Sequence, residues 1–237
     1  MAVIVDKYAN SKIFEALENL NVTYYKTISL DFLYKPVNTH PDMQIHFIDD
    51  YTAVCAPYAY NHYNTILPEY IEVIKGEEDP GGTYPQDCAY NVVRLGKKVI
   101  GNLKYADKKI KEIYSECGFE FINVNQGYTK CNLCVVDSNS VITEDIGLTK
   151  ILLQHGIDVL TIQVGQVALS GFKNGFIGGA SGFISENCVA FCGEINQMSE
   201  YEKIKRFIEG KGLELVSLSD ISLSDYGSLL FVKDFNK

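Results

Sequence analysis

No stretch of this sequence is long and apolar enough to span a bilayer. Even the most hydrophobic window, LTKILLQHGIDVLTIQV, is broken by Lys150 and Asp158. Basic residues are also in deficit, with 21 Lys and Arg against 30 Asp and Glu and a net charge of −9. That balance excludes nucleic acid and anionic membrane surfaces as main partners, because both require a net basic face. A secretory leader is not expected either, since the opening apolar run AVIV is four residues long and Asp6 follows it. The seven cysteines (Cys55, Cys88, Cys117, Cys131, Cys134, Cys188 and Cys192) are an odd number, so free thiols in a reducing cytoplasm are the expectation. Tryptophan is absent, whereas 16 tyrosines contribute to a 12% aromatic content suited to half-buried strands. With 46% hydrophobic residues the chain is not disordered, and its 237 residues suit one folded domain spanning 1–237.

An internal repeat organises the chain. Helices are predicted over Ser11–Leu20, Asn61–Leu67, Ala106–Cys117, Ile146–His155 and Glu200–Glu209. The third carries Ile110, Ile113, Tyr114 and Cys117 at i, i+3, i+4 and i+7, and the fifth carries Tyr201, Ile204, Phe207 and Ile208 in the same way. Asn21, Gly118, Gly156 and Gly212 stand where a left-handed residue ends a helix. Each helix is followed by a strand-like run: VTYYKTI, YIEVIK, FEFINV, DVLTIQV or LELVSL. A polar segment and two more strand-like runs come next: QIHFI with TAVCAP, YNVVRL with KKVIGN, LCVVD with SVITED, and FIGGASGFI with CVAFCG. Turn residues such as Asp49-Asp50, Gly96 and Asp137-Ser138-Asn139 link those pairs.

The fifth unit has only LELVSL and SLLFV, one strand short, and AVIV at the N-terminus is one strand in excess. Ala2–Val5 is therefore expected to pair with Ser228–Val232 and close a ring of five α/β blades, which hides the terminal sheet edges. The competing arrangement is an open α/β sheet. Five such units closed by the N-terminal strand resemble the pentein superfamily, the five-bladed α/β-propeller of arginine deiminase, dimethylarginine dimethylaminohydrolase, the amidinotransferases and the non-enzymatic translation initiation factor six. Pro85-Gln86-Asp87-Cys88-Ala89 resembles the segment in which those enzymes present a guanidinium-binding carboxylate, and Gly175–Gly182 looks like an uncharacterised bacterial branch of the superfamily.

The resemblance implies an attacking Cys in the last unit and a proton-transferring His in the fourth. Here the fifth-unit segment LSDYGSLLF offers Asp225, Tyr226 and Gly227, and the fourth-unit segment LSGFKNGF offers Lys173. Asp87 alone carries over, so hydrolysis of arginine by the usual pentein route is expected to be absent.

In a closed ring the loops before the inner strands converge on one end of the axis, where a convergent polar set marks a site. These loops supply His40, Asp42, Asp87, Cys88, Gln126, Tyr128, Lys130, Cys131, Lys173 and Asp225, with Asn91 beside them. Asp42, Asp87 and Asp225 would attract a cation, and Cys88, Asn91, Gln126, Tyr128 and Lys173 complete the expected ligand-binding set. Cys131, at the predicted start of a strand, is the candidate relocated nucleophile, assisted by Lys130, Lys173 or His40, because a nearby cation favours a thiolate. The competing reading of Cys131 and Cys88 is as small buried hydrophobes.

No metal is expected. Cys131 and Cys134 form a CxxC without a partner motif and would face opposite sides of a strand. His46, between Ile45 and Phe47, is expected to point outward. Gly175–Gly182 lacks phosphate-loop spacing and reads as a hairpin with close backbone approach, so no cofactor is expected. The expected function is binding of a small polar, cationic, guanidino- or amino-acid-like ligand in the central mouth, with either a passive binder or a hydrolase of altered mechanism compatible. The alternative is a non-catalytic protein-interaction module like translation initiation factor six.

Overall fold

The computed structural model describes residues 1–234. In chain order its elements are β1 (Ala2–Val5), α1 (Ser11–Asn19), β2 (Thr23–Lys26), β3 (Ile45–Phe47), β4 (Thr52–Cys55), α2 (Tyr60–Ile66), β5 (Glu72–Lys75), β6 (Val93–Leu95), β7 (Lys98–Gly101), α3 (Lys108–Glu116) and β8 (Glu120–Asn123). There follow α4 (Thr129–Asn132), β9 (Cys134–Asp137), β10 (Ser140–Thr143), α5 (Ile146–Gln154), β11 (Asp158–Thr161), β12 (Ser181–Ser185), β13 (Cys188–Phe191), α6 (Tyr201–Glu209), β14 (Glu214–Ser217) and β15 (Leu230–Val232).

The strands form five three-stranded sheets: β15-β1-β2, β3-β4-β5, β6-β7-β8, β9-β10-β11 and β12-β13-β14. In each, the central strand pairs antiparallel with an inner strand and parallel with an outer one reached through a helix. A parallel pair requires such a crossover, and it recurs five times. The closing contact is present: Ala2 pairs with Val232, Val3 with Phe231 and Ile4 with Leu230. The architecture is a five-bladed α/β-propeller closed by the N-terminal strand.

Local chemistry sets the helix ends. The side chains of Asn10, Asp107 and Asp145 accept hydrogen bonds from backbone N–H groups in the first turns of α1, α3 and α5. After α1, Asn21 takes φ 55°, a left-handed conformation that Asn tolerates better than most side chains. The helices lie in the seams between blades. Ile13 and Leu17 of α1 pack with Val3 and Val5 and with Ala190 of the neighbouring blade, while Leu148 and Leu152 of α5 pack with Val141 and with Ile100 of the β6-β7-β8 blade. Each blade thus buries its apolar face only against its neighbours. Burying one such side chain stabilises by roughly 1.5–3 kcal/mol, so the ring holds together as a set of shared seams.

Three local expectations need correction. Thr129–Asn132 forms a helical turn, so Cys131 does not begin a strand. His46 is buried and bonds to the Tyr114 hydroxyl at 2.8 Å, because inner-strand residues that turn away from the axis enter the seams between blades. The hairpin begins at Ser181, and Gly178 and Gly179 precede it in a turn pressed against the backbone of Lys130 and Cys131 and against the Asp225 carboxylate. Among the described residues, no helix is long and apolar enough to cross a membrane.

Candidate functional site

Two recesses lie along the axis, on either side of a waist made of buried polar groups. The first, the mouth, is lined by Val37, His40, Met43, Tyr128, Cys131, Leu169, Phe172, Asn174, Phe176 and Asp225 and holds about 90 Å³. It is assembled from the loops that precede four of the inner strands, so residues far apart in sequence share one small space.

Backbone hydrogen bonds lock those loops together. Asp42 N–H donates to the Gly227 carbonyl, Gly179 N–H to the Cys131 carbonyl, and Ser228 N–H to the Gly179 carbonyl. Gly227 takes φ 70°, and a Cβ there would collide with the His40 side chain. Ser228 also has a positive φ, 73°, which is uncommon for a residue with a Cβ. Strain of this kind is kept where surrounding contacts over-determine the backbone, often at functional sites.

Acids dominate the waist. Asp225 is buried and accepts from the Phe176 N–H at 3.0 Å and the Gly227 N–H at 2.9 Å; burial raises its carboxyl above the usual range. Asp42 accepts from Ser228 Oγ at 2.9 Å and from the Cys131 thiol at 3.0 Å, yet its Oδ1 is buried without a partner. Burial lifts the Asp42 carboxyl to about 6, against the pull of His40. Glu144, at the end of β10, accepts from the Ile177 N–H and is pushed by burial to about 7, with Oε1 unpartnered. The buried ring of His40 lies 3.9 Å from Asp225 Oδ1 and 4.0 Å from Asp6 Oδ2, too long for hydrogen bonds, and its Nδ1 has no partner. Buried polar atoms are seldom left unpaired, so His40 Nδ1 on the mouth lining offers a ligand an open bonding position.

The predicted site residues divide. His40, Tyr128, Cys131 and Asp225 line the mouth, and Asp42 lies directly beneath Cys131. Asp87 and Tyr128 pair at 2.6 Å, which buries the carboxylate one layer behind the lining. The Cys88 thiol donates to the Pro85 carbonyl, and burial beside Asp87 pushes it to about 12. Asn91 is a positioning residue: its Oδ1 accepts from the Lys130 and Cys131 N–H groups and its Nδ2 reaches Cys131 Sγ at 3.2 Å, which holds the α4 turn in place. Gln126 faces Asp145, and Lys173 is exposed on the loop outside the lining.

Lys130 and Cys131 part company. The helical turn sends the Lys130 side chain through to the far side of the waist, where Nζ donates to Ser228 Oγ at 3.1 Å. Cys131 is left with a carboxylate as its nearest charged neighbour, and burial together with Asp42 raises its thiol well above the ordinary value. A protonated, buried thiol is a poor nucleophile. Ser228, Glu144 and Phe176 were not singled out from the sequence. Only Ser228 left a trace there, in the turn-forming run Ser224-Asp225-Tyr226-Gly227 before it. Among the described residues, no three His, Cys, Asp or Glu side chains are grouped to hold a metal ion.

Comparison with known proteins shows where this architecture recurs. SxtG, an amidinotransferase of saxitoxin biosynthesis from Microseira wollei, superposes with a TM-score of 0.56 at 13% identity, covering 100% of this chain and 95% of its own. Inosamine-phosphate amidinotransferase StrB1 from Streptomyces griseus gives 0.56 at 12% identity, covering 95% of this chain and 79% of its own. Dimethylarginine dimethylaminohydrolase from Pseudomonas aeruginosa, solved with citrulline, gives 0.52 at 12% identity, covering 92% of this chain and 91% of its own. At such identity the likeness is one of fold, and that fold is the pentein α/β-propeller. No curated protein sequence matches the chain. The family of unknown function DUF6873 matches residues 4–230, and the chain belongs to that family.

Proposed function

We propose that the mouth binds a small organic cation of the guanidino or amino-acid type. The observation that carries this reading is Asp225, a buried carboxylate at the mouth with Phe172, Phe176 and Leu169 as apolar walls. Asp6, Asp42 and Glu144 stand behind it, against His40 and Lys130 as the basic groups of the waist. A cation entering there offsets the acid excess, and in a half-desolvated recess an ion pair at 4 Å is worth about 4 kcal/mol before desolvation is subtracted. Aromatic walls add attraction for a delocalised cation. The protonated thiol of Cys131 supports binding without covalent turnover.

Thermal shift and calorimetry with agmatine, arginine and the uncharged ureido analogue citrulline test it. Agmatine or arginine should stabilise the protein, citrulline should not, and Asp225→Asn should weaken agmatine by about 10- to 100-fold, the worth of a charge-assisted hydrogen bond. Absence of stabilisation by any guanidino compound, amino acid or peptide would sink the reading.

A further inference from the structure

The second recess lies on the other side of the waist, opposite the mouth, and holds about 160 Å³. The inner strands form its walls, with Ile45, Phe47, Val92, Val135, Phe183 and Phe231 presenting hydrocarbon. Two cations also line it, Lys130 and Arg94. In a chain of net charge −9, neither forms an ion pair among the described residues.

Both cations are held in place. Asn91 fixes the backbone of Lys130, and the ammonium has Ser228 Oγ as its acceptor, which leaves two of its three N–H donors for the recess. The Arg94 guanidinium donates through Nη1 to the Ile48 carbonyl at 2.9 Å and lies 5.6 Å from the Phe119 ring centre, which leaves its other N–H donors for a ligand. Burial above all, and after it the positive charges of Arg94 and Lys130, push the buried His46 down to about 3 and keep it neutral. Asp42 also borders the recess, but its Oδ2 is occupied by Ser228 and Cys131 and its Oδ1 is buried.

We propose that this recess binds a small organic monocarboxylate with an apolar body, the carboxylate on Lys130 and Arg94 and the hydrocarbon against the aromatic and aliphatic walls. Carboxylate is the chemistry that a planar guanidinium fork and an ammonium recognise together. The walls disfavour inorganic phosphate, which would bring a multiply hydrated anion against hydrocarbon that cannot replace its lost water contacts. The site is distinct from the mouth: the two linings have no residue in common, and its ligand has the opposite charge.

The test is calorimetry or ligand-observed NMR on the full chain with hexanoate, phenylacetate, hexanamide, hexylamine and inorganic phosphate. Hexanoate and phenylacetate should bind, with hexanamide about tenfold or more weaker, since it keeps the hydrocarbon and loses the charge. Arg94→Gln and Lys130→Met should each weaken hexanoate by about tenfold or more. Arg94 is exposed, so if Lys130→Met fails to fold, Arg94→Gln with an unchanged circular dichroism spectrum decides the matter. Hexanoate binding that is absent, or indifferent to Arg94→Gln, overturns the proposal. So does tighter binding of hexylamine or phosphate than of hexanoate.

Discussion

The two recesses share one waist and differ in nearly everything else. The mouth is built from loops that precede the inner strands, and its lining carries the Asp225 carboxylate, the Cys131 thiol and the His40 imidazole with an unpartnered Nδ1. The far recess is built from the flanks of the strands themselves, and its mostly apolar lining carries two cations with Asp42 at its border. Loops can carry unusual polar groups because their backbone is not committed to a sheet ladder, whereas strand flanks must pack against neighbouring blades. One turn divides the two regions. In a strand, Lys130 and Cys131 would point to opposite faces of a blade; in the α4 turn Lys130 lines the far recess and Cys131 the mouth, both within one short hydrogen-bonded chain through Ser228 and Asp42. Asp42, on the border of the far recess, is linked to Cys131 of the mouth and through Ser228 to Lys130.

The largest effect expected of a single change that tells the recesses apart is Gly179→Ala. A Cβ there would run into the Asp225 carboxylate, so the mouth must open or lose its hydrogen bonds. Breaking a buried network of this kind costs about 3 kcal/mol or more, a fall in Tm of about 6 °C or more for a chain of this size. Phe183→Ala in the partly buried wall of the far recess should cost less than half as much. Equal losses would mean that the mouth is no more tightly built than the recess.

A pH series probes the acid excess on its own. Asp42 and Glu144 have raised carboxyls, near 6 and 7, and Asp87 and Asp225 are raised too. A carboxyl raised on folding contributes stability that is fully present below its unfolded value and is lost as the pH climbs through its folded value. The ligand-free protein should therefore melt about 5 °C higher at pH 5 than at pH 8. The same ionisation favours a cation, so agmatine affinity should rise between pH 5 and 7 with uptake of the ligand releasing protons. A melting temperature that climbs steadily towards pH 8 would mean that these carboxyls are not desolvated as the structure has them.

Cysteine reactivity separates a binder from a relocated hydrolase. Iodoacetamide at pH 6.5 should label the exposed Cys117 first and leave buried Cys131 and Cys88 slow and alike. Arginine should yield neither citrulline nor ornithine, and agmatine neither N-carbamoylputrescine nor putrescine. Turnover abolished by Cys131→Ser, or Cys131 labelling ahead of Cys117, would restore it as a nucleophile. The smallest effect is expected on the far side, where Arg94→Gln should shift stability by no more than about 0.5 kcal/mol, as exposed substitutions usually do, even as hexanoate binding falls.

Much of the ring was legible in advance. Helix stripes such as Ile110, Ile113 and Tyr114, left-handed residues at Asn21 and Gly118, and the count of strands per unit led to the pairing of Ala2–Val5 with the last strand. These are local signals, and the ring follows from them because the unit they mark recurs five times. Convergence of His40, Tyr128, Cys131 and Asp225 was also legible, since topology alone brings those loops together. Side-chain direction was not. Thr129–Asn132 has no periodicity to separate a short turn from the start of a strand, and with that turn went the placement of Lys130.

Sequence by itself determined the blade, the order of the blades and the closure, because hydrophobic period and turn chemistry act over a few residues. The tertiary structure decided charge and access. Whether Asp42 is a carboxylate or an acid, whether Cys131 is a thiolate, and whether Ser228 meets Lys130 all depend on burial and on partners some 40 to 190 residues away. Desolvation and Coulomb energy follow distance in space, which the chain acquires only when the ring closes.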